Sequence, residues 1–217
     1  MTIQCHILDS SGALSSHTEL LNDLLKNWVS TISGQLPIRA LDICVAHHPE
    51  GTNKELGIGG AAHSGIRLDI FLDADNPNLQ SSLEKEFPAV LAHEMHHCAR
   101  LAEIPVADTL GECFVIEGLA CQFETEITGL PLPSFIPADV GGQFRDYLAA
   151  SSPILNSTEF DFESWFLGKS PEEMPKYTGF AIGFGLVGDY LKCNQLTAAQ
   201  AYAVPAADVL ANVVRSS

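Results

Sequence analysis

Basic residues are scarce in this 217-residue chain: 11 Lys and Arg stand against 27 Asp and Glu, for a formal net charge of −16 and a pI near 4.6. No Lys/Arg cluster occurs, so the electrostatic footprint of a nucleic-acid binder is missing. The same charge disfavours docking on an anionic membrane surface. The acidity reads as solubility. Long apolar runs are missing too. The longest, Thr178–Gly188, holds four glycines and is followed by Asp189. It falls short of the roughly 20 residues that span a bilayer. The opening Met1-Thr2-Ile3-Gln4-Cys5-His6 lacks the basic and apolar regions of a secretory signal. None of the six cysteines forms a C-x-x-C pair. They read as reduced thiols, most of them small buried hydrophobes, and the expected location is cytoplasmic.

What is present is a globular composition, 46% apolar and 18% charged, of a length that suits one domain. No repeat or low-complexity tract interrupts it. The first third reads as β-α-β. Residues 2–8 form a short apolar run. Ser16 and Glu19 make an S-x-x-E capping box before Leu20, Leu21, Leu24, Leu25, Trp28, Val29 and Ile32 at helical spacing, and residues 39–46 suggest a second strand. Residues 50–65, rich in Gly, Asn and Ala, read as a loop. In Ile66–Asp73, Ile66, Leu68, Ile70 and Leu72 share one face, the pattern of a strand with one buried side.

From about residue 81 the pattern turns helical. Ser81 and Glu84 form another possible box, and Pro88 places a helix start near Phe87 or a kink there. That helix runs through His97 to about Ala102, and Pro105 breaks the chain. Asp108 or Thr109 caps a further helix, with Glu112 completing T-x-x-E and Gly129 as its stop. Helices are expected near 140–150, 159–167 and 177–192, with a short pair after them. Gly179, Gly183 and Gly188 sit at near-helical spacing and suit close helix packing.

Residues 93–97 are His-Glu-Met-His-His, an H-E-x-x-H match. In a helix, positions i and i+4 are neighbours, so His93 and His97 can present two imidazoles to one ion. Glu94 lies about 100° round the helix, near the ion yet not bound to it, where it can take a proton from water. His96 cannot share the face of His93 and reads as a solvated neighbour. Two imidazoles leave a catalytic zinc one protein ligand short. Glu117, in Ile116-Glu117-Gly118-Leu119-Ala120 on the next helix, is the best candidate, because a carboxylate among apolar neighbours is costly unless paired or metal-bound. Pro105 supplies the turn that lets that helix fold back. Glu112 is explained as a cap, and Glu124 and Glu126 read as solvated.

At these residues the chain resembles the gluzincins, which carry His-Glu-x-x-His on one helix and a Glu ligand on the next. More narrowly, it resembles a bacterial family described as predicted Zn-dependent proteases of unknown function. That similarity rests on Phe-Pro-Ala-Val-Leu-Ala before His93, on Glu117-Gly118-Leu119-Ala120, on Trp165-Phe166-Leu167-Gly168 and on Tyr177-Thr178-Gly179-Phe180-Ala181-Ile182-Gly183. It spans about residues 55–195.

The resemblance implies a zincin-like α+β fold: a small mixed sheet packed on the HExxH helix within residues 1–103, and a mostly helical part over 104–217, together one catalytic domain. It implies Zn2+ held by His93, His97 and Glu117, with Glu94 as catalytic base. It also implies that Ile66–Asp73 is the edge strand on which a peptide or protein substrate lies extended, with Gly59-Gly60-Ala61 near the cleft entrance. Tyr177 is the candidate for stabilising the oxyanion. Gluzincins often place an Asp four residues after the Glu ligand to orient the first His. Here that position is Cys121, which leaves Asp69, Asp73 and Asp108 as candidates for the task.

The expectation is therefore a zinc peptidase. The alternative is a metal-holding module that binds peptides without cleaving them, which the Asp-to-Cys departure suits. A di-iron carboxylate bundle needs a second E-x-x-H, and the sequence has none.

Overall fold

The computed structural model describes residues 2–104, 108–170 and 174–215, with side chains described as far as Ala211. Pro105, the expected chain break, lies outside the described residues. The chain is α+β, and its contacts gather in two compact units, Met1–Glu103 and Ile104–Ser217.

In the first unit, β1 (Thr2–Leu8), α1 (Thr18–Ser33) and β2 (Ala40–His47) form the anticipated β-α-β, with β1 parallel to β2. Two further strands, β3 (Ile58–Ser64) and β4 (Arg67–Leu72), make an antiparallel hairpin, and β4 runs parallel to β2. The sheet order is β1-β2-β4-β3. Two helices follow, α2 (Leu79–Lys85) and α3 (Phe87–Leu101). Period-two alternation decides which face of the sheet they cover. Leu41, Ile43 and Val45 of β2 and Leu68, Ile70 and Leu72 of β4 are buried on the side of α1 and α3. Arg67 and Asp69 point the other way, where Asp69 pairs with Arg67 at 3.2 Å and with His63 at 3.1 Å.

Two strand expectations are corrected. The 50–65 segment is not all loop, because Ile58–Ser64 is a strand. Nor is the Ile66–Asp73 segment an edge strand: β4 lies between β2 and β3, and the edges are β1 and β3. Ile66 does not share the buried face of Leu68, since it is 63% exposed in the turn before β4.

Two capping boxes are corrected as well. Ser16 lies inside a 3-10 turn, Ser15–His17, and α1 starts after it with no side-chain cap. The Asp9 carboxylate organises this entry instead, accepting from the Leu14 N–H at 2.8 Å and the Ser15 hydroxyl at 2.8 Å. Ser81 lies within α2, which begins at Leu79 and has no side-chain cap either. Pro88 sits in the first turn of α3, where its missing N–H costs nothing, so the helix starts there and does not kink.

The second unit holds α4 (Leu110–Thr128), α5 (Ala138–Gly142), α6 (Phe144–Ser151), α7 (Thr178–Asn194) and α8 (Ala206–Arg215). Both ends of α4 form as the sequence indicates. The Thr109 hydroxyl accepts from the Glu112 N–H, the Glu112 carboxylate accepts from the Thr109 N–H, and Gly129 closes the helix in a left-handed conformation. The segment near 159–167 is a short π-helical turn, Glu163–Leu167, and not a regular helix. Among the described residues the chain end carries one helix, α8, after turns at 198–203.

α4 packs on α7, and the small residues make this possible. A Cβ on Gly183 would lie 2.9 Å from the Gly118 nitrogen, so the helices meet backbone to backbone. Phe166 is fully buried against Phe114 and Phe180, with Gly179 beneath its ring. This packing gives the Trp165–Gly168 and Tyr177–Gly183 segments their structural role. Glu126 accepts the Ala198 N–H at 2.6 Å and so holds the following turn to α4.

Candidate metal centre

α3 is buried round most of its circumference, polar positions included. It packs on β3 and β4 and on α1 and α2. Such a helix can keep ionisable groups only where they find partners, because an unpaired buried charge is costly. Its i, i+4 spacing sets His93 and His97 side by side, ring centroids 4.7 Å apart and planes at 79°. At that separation one nitrogen of each ring can reach a common ion at the roughly 2.0–2.1 Å of a zinc–imidazole bond. His93 is buried and His97 half-buried.

Glu94 is 8% exposed, and its side chain lies against β3, where a Cβ on Gly60 would come 2.6 Å from Glu94 Cγ. One turn on, burial and then the Glu94 charge push the Cys98 thiol up to about 12, so it is neutral near pH 7. That thiol donates to the Arg67 carbonyl at 3.6 Å.

His96, expected in solvent, has 0% exposure. The apolar stripe predicts one buried face, whereas α3 is covered on several sides. Arg100, one turn further along, is buried as well. In the second unit Glu117 is half-buried midway along α4, with Gly118, Leu119 and Ala120 buried beside it. Its charge adds to burial in pushing the Cys113 thiol up to about 12. Glu126 is exposed as expected. Glu124 is not, at 3% exposure, because α4 is buried along most of its length.

Tyr177 is half-buried at the N-cap of α7, in a left-handed conformation with φ +69°, a strained backbone for an aromatic residue. Its ring meets Phe135 edge-on at 5.2 Å, and the Lys176 ammonium lies 4.6 Å over its face.

The candidates for orienting a His have local partners of their own. Asp69 is paired with Arg67 and His63, and Asp73 accepts the Asp75 N–H; of Asp108, the backbone N–H donates to Glu112 at the start of α4. The cysteines divide evenly. Cys98 and Cys121 are buried, Cys44 and Cys113 half-buried, and Cys5 and Cys193 exposed, so fewer are buried than expected. Among the described residues no helix is long and apolar enough to cross a membrane.

A buried helix carrying two adjacent imidazoles and a neighbouring carboxylate is equipped to hold a metal ion. Over residues 17–211 the chain matches the family described as "Predicted Zn-dependent protease (DUF2268)", and it belongs to that family. It is similar to the uncharacterized protein YjfC of Bacillus subtilis (strain 168), 22% identical over 192 residues that cover 81% of this chain and 62% of YjfC. It is also similar to the uncharacterized protein YjaZ of the same organism, 26% identical over 126 residues covering 54% of this chain and 47% of YjaZ. The chain thus spans less than two thirds of either relative's length. No solved structure matches it.

Proposed function

We propose that this protein is a zinc-dependent hydrolase of peptide or protein substrates in the cytoplasm, built on a zincin-like scaffold. His93, His97 and Glu117 hold the metal in this reading, and Glu94 is the general base. The observation that carries it is the His93–His97 pair on one face of α3, with the Glu94 carboxylate buried at the adjoining position. Two imidazole nitrogens and one carboxylate oxygen are the donor set of a catalytic zinc, which leaves a position for solvent.

When bound, zinc supplies a Lewis acid and lowers the pKa of water at the site. Glu94 accepts the proton of the attacking water and passes it to the leaving nitrogen. Tyr177 donates its phenolic hydrogen to the oxyanion. Its left-handed backbone supports that role, because strained residues gather at functional sites. The substrate lies extended along β3, a strand at the sheet edge, and borrows its main-chain hydrogen bonds.

The test is Glu94→Gln. The variant keeps one zinc per chain and loses peptide cleavage, whereas cleavage at the wild-type rate sinks the mechanism. The alternative of a non-cleaving peptide-binding module draws on Cys121, a buried thiol where gluzincins carry an orienting Asp. Chelator-sensitive cleavage of a peptide library excludes that module.

A further inference from the structure

Alternate residues of β3 face α3: Ile58, Gly60 and Ala62, paired with Leu72, Ile70 and Leu68 of β4. The middle position has no side chain, and Glu94 fills the space. A Cβ there would lie 2.6 Å from Glu94 Cγ and 3.1 Å from both Cδ and Oε1. The strand has little room to retreat. Gly60 is paired with the fully buried Ile70, and on the opposite face of the strand a Cβ on Gly59 would strike the Gly51 carbonyl. α3 is equally constrained, being buried against the sheet and α1. All three atoms nearest to that added Cβ belong to the Glu94 side chain, so this side chain is what the methyl group meets.

We infer that Gly60 is a positioning residue that seats the Glu94 carboxylate, and that a methyl group at position 60 swings that carboxylate away while leaving His93 and His97 in place. The catalytic part of this inference rests on the reading of Glu94 as general base. The seating itself does not.

Two experiments separate them. In the metal-free protein, Gly60→Ala and Glu94→Ala are combined in a double-mutant cycle read by urea unfolding. Gly60→Ala alone moves the folding equilibrium about tenfold toward the unfolded state, an ordinary overpacking effect. In the Glu94→Ala background, where Cγ is gone, the shift falls to about twofold or less. Equal shifts in both backgrounds overturn the seating.

In the zinc-loaded protein, Gly60→Ala keeps wild-type zinc stoichiometry and KM but loses about a hundredfold in kcat, the scale of a misplaced catalytic group. Glu94→Asp, shorter by one methylene, softens that loss when the two are combined. Wild-type kcat in Gly60→Ala overturns the positioning role. A wild type without peptidase activity overturns the hydrolase reading alone, and the unfolding cycle then decides the seating of Glu94 by itself.

Discussion

Replacing Gly183 by alanine measures how tightly α4 and α7 are joined. A Cβ at this position would lie 2.9 Å from the Gly118 nitrogen and 3.0 Å from its Cα, and it would also strike the Phe114 carbonyl. These are all backbone atoms of one helix, so no rotamer change relieves the clash and the helices must move apart. Two effects oppose each other. Alanine gains about 1 kcal/mol over glycine in a helix interior. Overpacking a filled contact costs about 1–3 kcal/mol, and backbone meeting backbone belongs at the upper end. The net expectation is a loss of about 2 kcal/mol. Urea unfolding followed by circular dichroism reads it directly, and a melt reads it as a fall of about 4–8 °C for a chain of this size. Gly142→Ala is the control, since nothing lies within 4 Å of the added carbon. It is expected to be neutral or stabilising by up to about 1 kcal/mol. A Gly183→Ala protein as stable as the wild type, or a Gly142→Ala protein equally weakened, refutes the reasoning.

Thr109→Ala removes the cap that accepts from the Glu112 N–H and is expected to cost about 1 kcal/mol, read by urea midpoint; no change means the box contributes nothing. His97→Ala is expected to lose stoichiometric zinc by elemental analysis, and retention of a full equivalent argues against the ligand set. Zinc at about a hundred times its dissociation constant is expected to stabilise the wild type by about 2.7 kcal/mol, a rise absent from His97→Ala. The Cys98 thiol, raised from 9.0 to about 12 by burial and then by Glu94, is expected to resist iodoacetamide at pH 8 until the protein unfolds. Because the folded state holds this proton more tightly than the unfolded chain, stability falls as pH rises above about 9, by up to about 1.4 kcal/mol per unit. Cys98→Ala removes that part of the slope, and an unchanged slope counts against the buried-thiol account.

The placement of His93 and His97 on one helical face followed from spacing alone, as did the ends of α4, because helical periodicity and caps are local properties. β3 was hidden for a physical reason. Its centre is Gly59-Gly60-Ala61-Ala62, which carries no apolar bulk to mark an alternating face. The steric demand that empties it comes from Glu94, far away in sequence. The position of β4 was hidden differently, since a strand buried on one side shows the same alternation in the middle of a sheet as at its edge. The burial of His96 and Glu124 escaped notice because a single stripe of apolar residues cannot announce that neighbours cover the remaining faces. Glu117 and Tyr177 were singled out from apolar context and family likeness, not from a local pattern of their own.

The hairpin register slips by one residue between Ala62 and Ser64, where His63 is the extra residue on the β3 side. Had the pairing of Ser64 with Arg67 continued in step, Ala61 would oppose Ile70 and Gly60 would oppose Phe71. Strand faces alternate, so a methyl group would then point at Glu94 and the glycine away from it. The bulge absorbs the extra histidine near the strand's end and so keeps Gly60, not Ala61, against the acid. Deleting His63 would leave Gly60 opposite Ile70 in an unbulged hairpin, so the looping-out of this residue, not its presence, keeps the glycine on the acid.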